Sequence, residues 1–419
     1  MSAARALVVG GGIGGLASGV SLARAGWDVI VLERARSLDP VGAGIAVAPN
    51  AVRALGALGL DEPLRDLATL QGEVGMRRPD GRWLVRADAS DAGARFGDRT
   101  LVLHRAQLVD LLARALPDGA LRLGVSGAVV HPGDGGAPAR VQVSDAAPPG
   151  TVEPDDGVPV SEVEADLVVA ADGIDSPTRA RWWPYAPRPV HGGSTAWRLV
   201  APAPRGGVVG SETWGRGIVV GLVPLADGRV YAYVSVADRA GVPVTFDALR
   251  ERLAHWHDPI PELLASVDPG QVLRHDLRHL PAPPATLATG RVALVGDAAH
   301  AMLPNVGQGG CQAIEDAVVL GAHLPVPSAG QGGGGPTSRS THAVEVATAL
   351  QRWSAERRPR VASVMRLSVQ VAAPTRWTSP LATGARDVGA RLAGTWAASL
   401  GTRALDGVMG WRPPPTTDR

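Results

Sequence analysis

The sequence predicts an α/β fold built from two sheets of different character, followed by C-terminal helices. Four short apolar runs, each bordered by Gly or an acidic residue, are typical of parallel strands buried on both faces, at residues 6–9, 29–32, 167–170 and 292–295. Between residues 190 and 236, short runs with Trp, Tyr and Val alternate with Gly, Pro and Asp-Gly, which indicates a mainly antiparallel sheet. Apolar residues recur at helical spacing from 343 to 372.

Length and composition narrow the class of protein. The 419 residues carry a net charge of +1, so the chain offers no strong field to nucleic acid or to an acidic membrane. All 41 basic residues are Arg, which excludes lysine Schiff-base and P-loop chemistry. The single cysteine, Cys311, excludes an internal disulfide framework and a Cys-based zinc site, and we expect no metal. Because no signal peptide and no apolar run of about 18 residues is visible, the expected location is the cytoplasm.

The first apolar run leads into a glycine pattern, Gly10-x-Gly12-x-x-Gly15, which opens a helix. Gly10 allows the tight turn, Gly12 lets backbone N–H groups approach a pyrophosphate, and Gly15 lets the helix pack on the strand. The helix N-terminus adds partial positive charge. Glu33 ends the next strand about 20 residues later, where a carboxylate can accept hydrogen bonds from ribose hydroxyls. The segment predicts a Rossmann-like dinucleotide site; a Gly-rich turn without a ligand is the alternative.

Two later segments narrow the dinucleotide to FAD. Asp297 follows a buried strand, where its carboxylate could bind a hydroxyl of the ribityl chain or serve as an ordinary helix N-cap. Residues 307–310 open a second helix, whose N-terminus could face the flavin N1–C2=O edge. Asp172 ends another apolar strand and by itself marks a turn. Arg105, in a predicted helix at 104–116, could contact the FAD phosphates or lie on a solvated face.

In this order the segments resemble the motifs of the single-component FAD-dependent aromatic hydroxylases, the p-hydroxybenzoate hydroxylase-like or group A flavoprotein monooxygenases. The resemblance covers about residues 1–370. The glycine pattern is similar to the family's ADP-binding motif, residues 169–176 to its DG motif, and residues 296–309 to its GD motif. The resemblance implies that FAD is bound by Gly10, Gly12, Ile13, Gly14, Gly15, Glu33, Arg34, Gly44, Ile45, Arg105, Asp172, Asp297, Gly307, Gln308, Gly309, Gly310 and Cys311.

The resemblance also implies the reaction. NADH or NADPH reduces bound FAD, O₂ adds to give a flavin C4a-hydroperoxide, and one oxygen atom passes to the substrate. The protein positions the reactants, excludes water and stabilises charge. Pro304 matches the position whose backbone carbonyl faces the substrate in relatives, and Tyr231 matches a substrate-side Tyr. His300 could act as a base or support the structure.

The expected substrate pocket lies on the antiparallel strands. Arg198 could act in the site by binding a carboxylate or phenolate, or it could point outward. Trp197, Trp214 and Tyr231 would form an aromatic wall, and a role in the core is the alternative. Val219 stands where urate hydroxylases place a substrate-binding Arg, so the resemblance favours a ring that is less polar than urate.

These expectations divide the chain into four segments. Residues 1–184 and 286–370 form the two parts of the FAD-binding domain, the latter with a disordered loop at 325–342. Residues 185–285 form the inserted substrate-binding β-sheet domain, and 371–419 form a C-terminal helical segment and tail. We expect an FAD-dependent, NAD(P)H-using monooxygenase, monomeric or homodimeric, that uses O₂ to hydroxylate or epoxidise a small aromatic, polycyclic or polyketide-like molecule. The alternatives are an FAD-dependent dehydrogenase or oxidase and a non-catalytic flavin-binding protein.

Overall fold

The computed structural model describes residues 4–38, 43–70, 73–88, 96–145, 160–238, 245–327, 336–396 and 406–415. The strands are β1 Arg5–Val9, β2 Asp28–Glu33, β3 Gly44–Val47, β4 Thr69–Leu70, β5 Glu73–Arg77, β6 Trp83–Asp88, β7 Leu101–His104, β8 Leu121–Leu123, β9 Val125–His131, β10 Ala139–Asp145, β11 Val160–Ala165, β12 Leu167–Ala170, β13 Val190–Pro202, β14 Gly210–Trp214, β15 Ile218–Pro224, β16 Arg229–Ala237, β17 Leu273–His279, β18 Ala288–Thr289 and β19 Val292–Leu294. The helices are α1 Ile13–Arg24, α2 Pro49–Ala57, α3 Asp61–Leu67, α4 Arg105–Arg114, α5 Pro177–Trp182, α6 Phe246–Leu253, α7 Ile260–Ala265, α8 Asp297–His300, α9 Gly309–His323, α10 Pro336–Ala372 and α11 Pro380–Trp396. Within these ranges, no helix combines the length and the apolar character that crossing a membrane requires.

A six-stranded sheet forms the first layer, in the order β18-β19-β12-β1-β2-β8. Its neighbours pair in parallel, except that β18 runs antiparallel to β19. Residues Ala6 to Val9 of β1 are buried because α1 covers one face and the three-stranded sheet β11-β10-β9 covers the other. The prediction of a mixed α/β fold is confirmed.

A seven-stranded sheet has the order β17-β13-β16-β15-β14-β5-β6, and its neighbours are antiparallel except for β14 with β5. One face packs against α6 and α7 in a second hydrophobic core. Strands β5 and β6 come from residues 73–88, which the sequence assigned with the rest of 1–184 to the FAD-binding part. They join this sheet because β14 pairs with β5. The two strands are far apart in the sequence, so local sequence patterns do not predict this pairing.

Helix α10 begins at Pro336, inside the segment 325–342 that the sequence predicted as a disordered loop. That prediction is wrong for residues 336–342, while 328–335 lie outside the described residues. Ala343, Val346, Leu350 and Trp353 recur at helical spacing and are buried. The helix extends N-terminally from this anchored stretch to Pro336, a residue that the first turn of a helix tolerates.

A buried ion cluster joins α9 to α10 and to the turn after β19. Arg357 Nη1 lies 2.6 Å from Glu315 Oε2, and Arg357 Nε lies 2.8 Å from Asp316 Oδ1, with all three side chains at most 1% exposed. The second oxygen of Asp316 lies 2.5 Å from His300 Nε2 and accepts a hydrogen bond from the Gly296 amide at 3.0 Å. His300 is fully buried, so of its two predicted roles the structure supports the structural one.

The ion cluster makes the stability of the protein depend on pH, because it changes the pKa values of Glu315 and Asp316. Burial tends to raise their pKa values, but the charge of Arg357, together with Arg360 at Glu315 and His300 at Asp316, outweighs it and lowers both below the ordinary values. A lowered folded pKa stabilises the native state above the ordinary carboxyl pKa of about 4. This stabilisation is lost as the pH falls through the lowered values.

Arg357→Leu should lower the free energy of unfolding by about 3–5 kcal/mol at neutral pH, because it leaves two buried carboxylates without their cation. The deficit should shrink at mildly acidic pH, where the unpaired carboxylates can protonate. Urea unfolding at both pH values measures this. Arg352→Leu, at an exposed position on the same helix, is the control; a similar loss in both variants would contradict the role of the cluster.

Candidate active site

A cavity of about 670 Å³ lies between the carboxyl ends of β1, β12 and β19 and the face of the seven-stranded sheet opposite α6 and α7. Such an edge is where open parallel sheets bind their ligands. The predicted site residues that line the cavity are Gly12, Ile13, Gly14, Gly44, Ile45, Arg105, Arg198, Val219, Tyr231, Asp297, Pro304, Gly307, Gln308, Gly309 and Gly310. The predicted site residues that lie outside the cavity wall are Gly10, Gly15, Glu33, Arg34, Asp172, Trp197, Trp214 and Cys311. Lining residues that the sequence did not single out include Ala196, Glu212, Tyr233 and Ser235.

The glycines of the first turn have two different roles: some are required by the fold, and one leaves space at the cavity. Gly10 has a φ of +107°, which L side chains rarely adopt. A Cβ on Gly15 would lie 1.9 Å from the Gly10 carbonyl oxygen, so α1 can pack on β1 only with glycine there. A Cβ on Gly12 would meet no atom within 4 Å. Gly10 and Gly15 therefore hold the turn together, while Gly12 leaves space at the N-terminus of α1.

Glu33 lies at the end of β2, beside the glycine turn. Its Oε2 accepts a hydrogen bond from the Gly11 amide at 2.6 Å, and its Oε1 accepts one from the Ala35 amide at 2.8 Å. Each carboxylate oxygen keeps a further lone pair for a hydroxyl. Arg34 is exposed at the same end of the strand.

Three charged side chains meet at the cavity. Gly296 is the N-cap of α8, and Asp297 is the first residue of the helix and makes no side-chain capping hydrogen bond. The alternative of an N-cap role therefore does not describe Asp297, which faces the cavity. Arg105 also lines the cavity: burial lowers its pKa, the negative charge of Asp297 raises it, and the positive charge of Arg198 lowers it.

The N-terminus of α9 faces the same space. Gly307 has a φ of +62°, and α9 begins two residues later at Gly309. Gln308 is fully buried, and its Oε1 accepts hydrogen bonds from Asn50 Nδ2 at 3.0 Å and Gln312 Nε2 at 3.1 Å. Its Nε2 has no partner among the described residues. The wall thus offers a buried donor beside the free backbone N–H groups of a helix N-terminus.

A buried acceptor lies near the opposite side of the first turn. Asp172 Oδ2 accepts a hydrogen bond from the Thr178 amide at 3.1 Å, whereas its Oδ1 is buried and has no partner in the part of the chain that the structure describes. The adjoining residues Ala171 and Gly173 line the cavity. Unpaired buried polar atoms are costly and indicate a missing partner. Together with the two helix N-termini and the open space at Gly12, they fit a dinucleotide that carries a polar ring system.

Cys311 lies behind the wall rather than on it. Its side chain is buried, and its Sγ is 3.4 Å from the Gly307 carbonyl oxygen and 3.7 Å from that of Ala46. Burial raises the pKa of the Cys311 thiol to about 12. The thiol is therefore protonated at neutral pH, and Cys311 supports the first turn of α9.

Four strands of the seven-stranded sheet place one row of residues on the cavity side. Arg198 pairs with Tyr233, Tyr233 with Gly221, and Gly221 with Glu212. A Cβ on Gly221 would lie 2.1 Å from the Tyr233 ring, so only glycine lets this ring lie across the strand. The Tyr233 hydroxyl then donates a hydrogen bond to Glu212 Oε1, and Trp214 Nε1 donates one to Glu212 Oε2 at 2.8 Å.

The two predicted tryptophans do not form the wall. Trp197 is 3% exposed and packs in the second core, because consecutive strand residues point to opposite faces and Arg198 takes the cavity side. Its alternative role in the core is therefore the one that the structure shows. Trp214 is buried beside the wall, with the guanidinium of Arg386 5.3 Å from its ring centroid. Tyr231 and Tyr233, with ring centroids 5.9 Å apart, supply the aromatic surface.

Tyr231 and Pro304 both line the cavity, as the sequence predicted. A Cβ on Gly44 would lie 2.6 Å from the Tyr231 ring, so β3 approaches this ring closely. Burial raises the pKa of Tyr231 above its ordinary value, although the nearby charge of Arg198 acts in the opposite direction. Tyr231 therefore keeps its phenolic proton at neutral pH.

Comparison with known proteins agrees with this site. The sequence matches the family described as FAD binding domain over residues 3–368. It is 33% identical over 387 residues to the aurachin C monooxygenase/isomerase of Stigmatella aurantiaca, and the match covers 91% of this chain and 92% of that protein. It is 34% identical over 323 residues to the 2-heptyl-3-hydroxy-4(1H)-quinolone synthase of Pseudomonas aeruginosa, and the match covers 75% of this chain and 79% of that protein. The crystal structure of Klebsiella pneumoniae HpxO complexed with FAD and uric acid has a TM-score of 0.78 at 26% identity, over 97% of this chain and 96% of that one.

A dinucleotide-binding oxidoreductase is the class that the fold and the cavity define. The chain belongs to the FAD binding domain family and is an FAD-dependent monooxygenase. The resemblance to the FAD-dependent aromatic hydroxylases is thereby confirmed, and so is FAD as the cofactor. NAD(P)H is the usual reductant of this family.

If Asp297 binds the ribityl chain as the sequence predicts, Asp297→Ala should weaken FAD binding by about 1–3 kcal/mol, or about 5- to 150-fold in Kd, because one hydrogen bond is removed. Titration of the apoprotein with FAD, followed by flavin fluorescence, measures the change. Asp118→Ala, at an exposed site after α4, is the control and should bind FAD like the parent protein. An unchanged FAD affinity in Asp297→Ala would remove this residue from the cofactor site.

Proposed function

We propose that this monooxygenase inserts one oxygen atom into a bicyclic, nitrogen-containing aromatic ring of the quinolone class. The observation that carries the proposal is the composition of the sheet face of the cavity. Ala196, Val219 and Val223 make it apolar, Tyr231 and Tyr233 add aromatic rings, and charged groups stand at its two sides. Two relatives are named for chemistry on quinolone-type or aurachin substrates, which supports the same class.

Urate fits this face less well, although a structural relative was crystallised with uric acid. Urate carries polar groups around its whole ring. Against Ala196, Val219 and Val223 these groups would lose their water without gaining hydrogen bonds, which costs binding free energy. A ring with few polar groups, concentrated at its edges, avoids that cost. Residues 185–285, with the hairpin of β5 and β6, would then form the substrate-binding part.

The residues of the cofactor side take separate parts of FAD in this proposal. The glycine turn and Ile13 would hold the pyrophosphate at the N-terminus of α1, with Glu33 on the adenosine ribose. Arg105 would lie near the phosphates, and the unpaired oxygen of Asp172 would accept a hydrogen bond from a hydroxyl group of the cofactor. Asp297 would hold the ribityl chain. Residues 307–310 would hold the flavin ring, with Gly44 and Ile45 on its other side.

Bound FAD supplies the redox chemistry with O₂, and the overall reaction balances as R–H + O₂ + NAD(P)H + H⁺ → R–OH + H₂O + NAD(P)⁺. The chain's own groups contribute position and charge. The N-terminus of α9 would stabilise negative charge on a flavin ring bound beside it. Tyr231 donates a hydrogen bond to a substrate oxygen, and Arg198 stabilises that oxygen as it gains negative charge. The apolar sheet face excludes water. The active unit is a monomer or a homodimer.

Oxygen insertion should be visible with a 4(1H)-quinolone that carries an alkyl chain. Purified FAD-loaded protein should oxidise NADH or NADPH faster when the quinolone is present, and ¹⁸O₂ should place one labelled atom in the product. NAD(P)H oxidation without incorporated label would instead favour a dehydrogenase or oxidase. Flavin that stays oxidised with both nicotinamides and every ring tested would favour a non-catalytic role.

Tyr231→Phe should lower kcat/KM by about 10-fold or more and leave FAD binding unchanged, because it removes a donor that contacts the substrate rather than the cofactor. Coupled NAD(P)H oxidation and flavin titration give the two readouts. Tyr185→Phe is the matched control, since Tyr185 is 98% exposed. Equal turnover in both variants would remove Tyr231 from the substrate site.

A further inference from the structure

The cavity contains one acidic side chain that the cofactor site does not require. Glu212 lies on β14, on the sheet side of the cavity, whereas the residues expected to hold FAD lie on the opposite wall. Cavity walls of this kind are mainly apolar, and the few polar groups they carry fix the orientation of a ligand. A carboxylate at this place can therefore orient a substrate that carries a hydrogen-bond donor.

Glu212 is held in one orientation by two donors. Trp214 Nε1 donates to one oxygen at 2.8 Å, and the Tyr233 hydroxyl donates to the other. The Tyr233 ring is fixed because it lies across Gly221, where any side chain would collide with it. Burial and the charge of Glu212 raise the pKa of Tyr233 well above 10, so its hydroxyl remains a donor. Each carboxylate oxygen keeps one lone pair for a further donor.

The same row of the sheet carries a donor at its other end. Arg198 and Glu212 are separated by three strand spacings, which places their Cα atoms about 14 Å apart. Both side chains reach into the cavity between these points, and the aromatic rings of Tyr231 and Tyr233 lie beside it. A flat ring with an acceptor on one side and a donor on the other matches this arrangement. A quinolone has that polarity, with its carbonyl oxygen opposite its ring nitrogen.

We propose that Glu212 determines substrate specificity by accepting a hydrogen bond from a donor on the ring nitrogen, with Trp214 and Tyr233 as its positioning residues. Arg198 takes the carbonyl oxygen at the opposite side of the ring. The inference rests on the proposed function because it concerns the same ring class. A substrate without a hydrogen on that nitrogen would leave the remaining lone pairs of the carboxylate, which face the cavity, without a donor once the substrate has displaced water, and this costs binding free energy.

Binding to the resting holoenzyme tests the inference without oxygen insertion. The FAD-loaded protein is titrated with a 2-alkyl-4(1H)-quinolone and with its N-methyl derivative, and flavin absorbance reports binding. The N–H compound should bind about 10- to 100-fold more tightly, the range expected for a charge-assisted hydrogen bond. Affinities within about twofold of each other would overturn the inference, and so would the absence of binding by both compounds.

Substitution then assigns the discrimination to one residue. Glu212→Gln should reduce the affinity ratio to about threefold or less, because the neutral amide has one acceptor oxygen for two protein donors. Glu251→Gln, exposed on α6, should keep the parent ratio. A parent ratio in Glu212→Gln would refute the assignment. If Glu212→Gln does not retain FAD, the comparison of the two compounds on the parent protein decides alone.

The two proposals fail in different ways. Discrimination between the two compounds without ¹⁸O incorporation would contradict the proposed function and leave the role of Glu212 intact. Incorporation into both compounds at equal efficiency, with equal affinities, would refute the role of Glu212 and leave the monooxygenase assignment intact.

Discussion

The ion cluster of Arg357 with Glu315 and Asp316 is the constraint on which the site depends. Its three side chains are almost fully buried from solvent, so each charge is stable only when its partners are in place. Asp316 also binds the amide of Gly296, immediately before the cavity-facing Asp297. Helix α9, whose N-terminus faces the cavity, and the turn that carries Asp297 are thereby held together. The N-terminus of α9 and the Asp297 carboxylate are therefore positioned by a cluster whose own side chains lie outside the cavity wall.

The cofactor side was largely predictable because its signals are local. A strand, a glycine turn and a helix follow one another within residues 5–24, and the closest approach at Gly15 is to the Gly10 carbonyl oxygen, five residues earlier. The predicted loop at 325–342 was wrong for 336–342, because helix formation there follows from the buried stretch that begins at Ala343. The two strands of residues 73–88 were assigned to the wrong neighbours, since their partner β14 is more than a hundred residues away.

The substrate side depended on strand register, which the sequence does not encode locally. Trp197 and Arg198 were both expected at the pocket, yet strand alternation allows only one of two consecutive residues to face it. The same alternation, applied to Tyr231, would have indicated Tyr233 two residues later. Glu212 could not be found in this way, because its place beside Tyr233 follows from the pairing of β14 with β15 and from the missing side chain at Gly221.

The protein reacts with O₂ and contains a single cysteine, Cys311. The position of this thiol affects how readily the protein is damaged by oxidation. Flavin reactions with O₂ release hydrogen peroxide whenever transfer to substrate fails, and peroxide oxidises thiolates far faster than thiols. Cys311 lies behind the cavity wall, and burial raises the pKa of its thiol to about 12. The protein therefore carries its one oxidisable sulfhydryl in a form that idle turnover cannot readily damage.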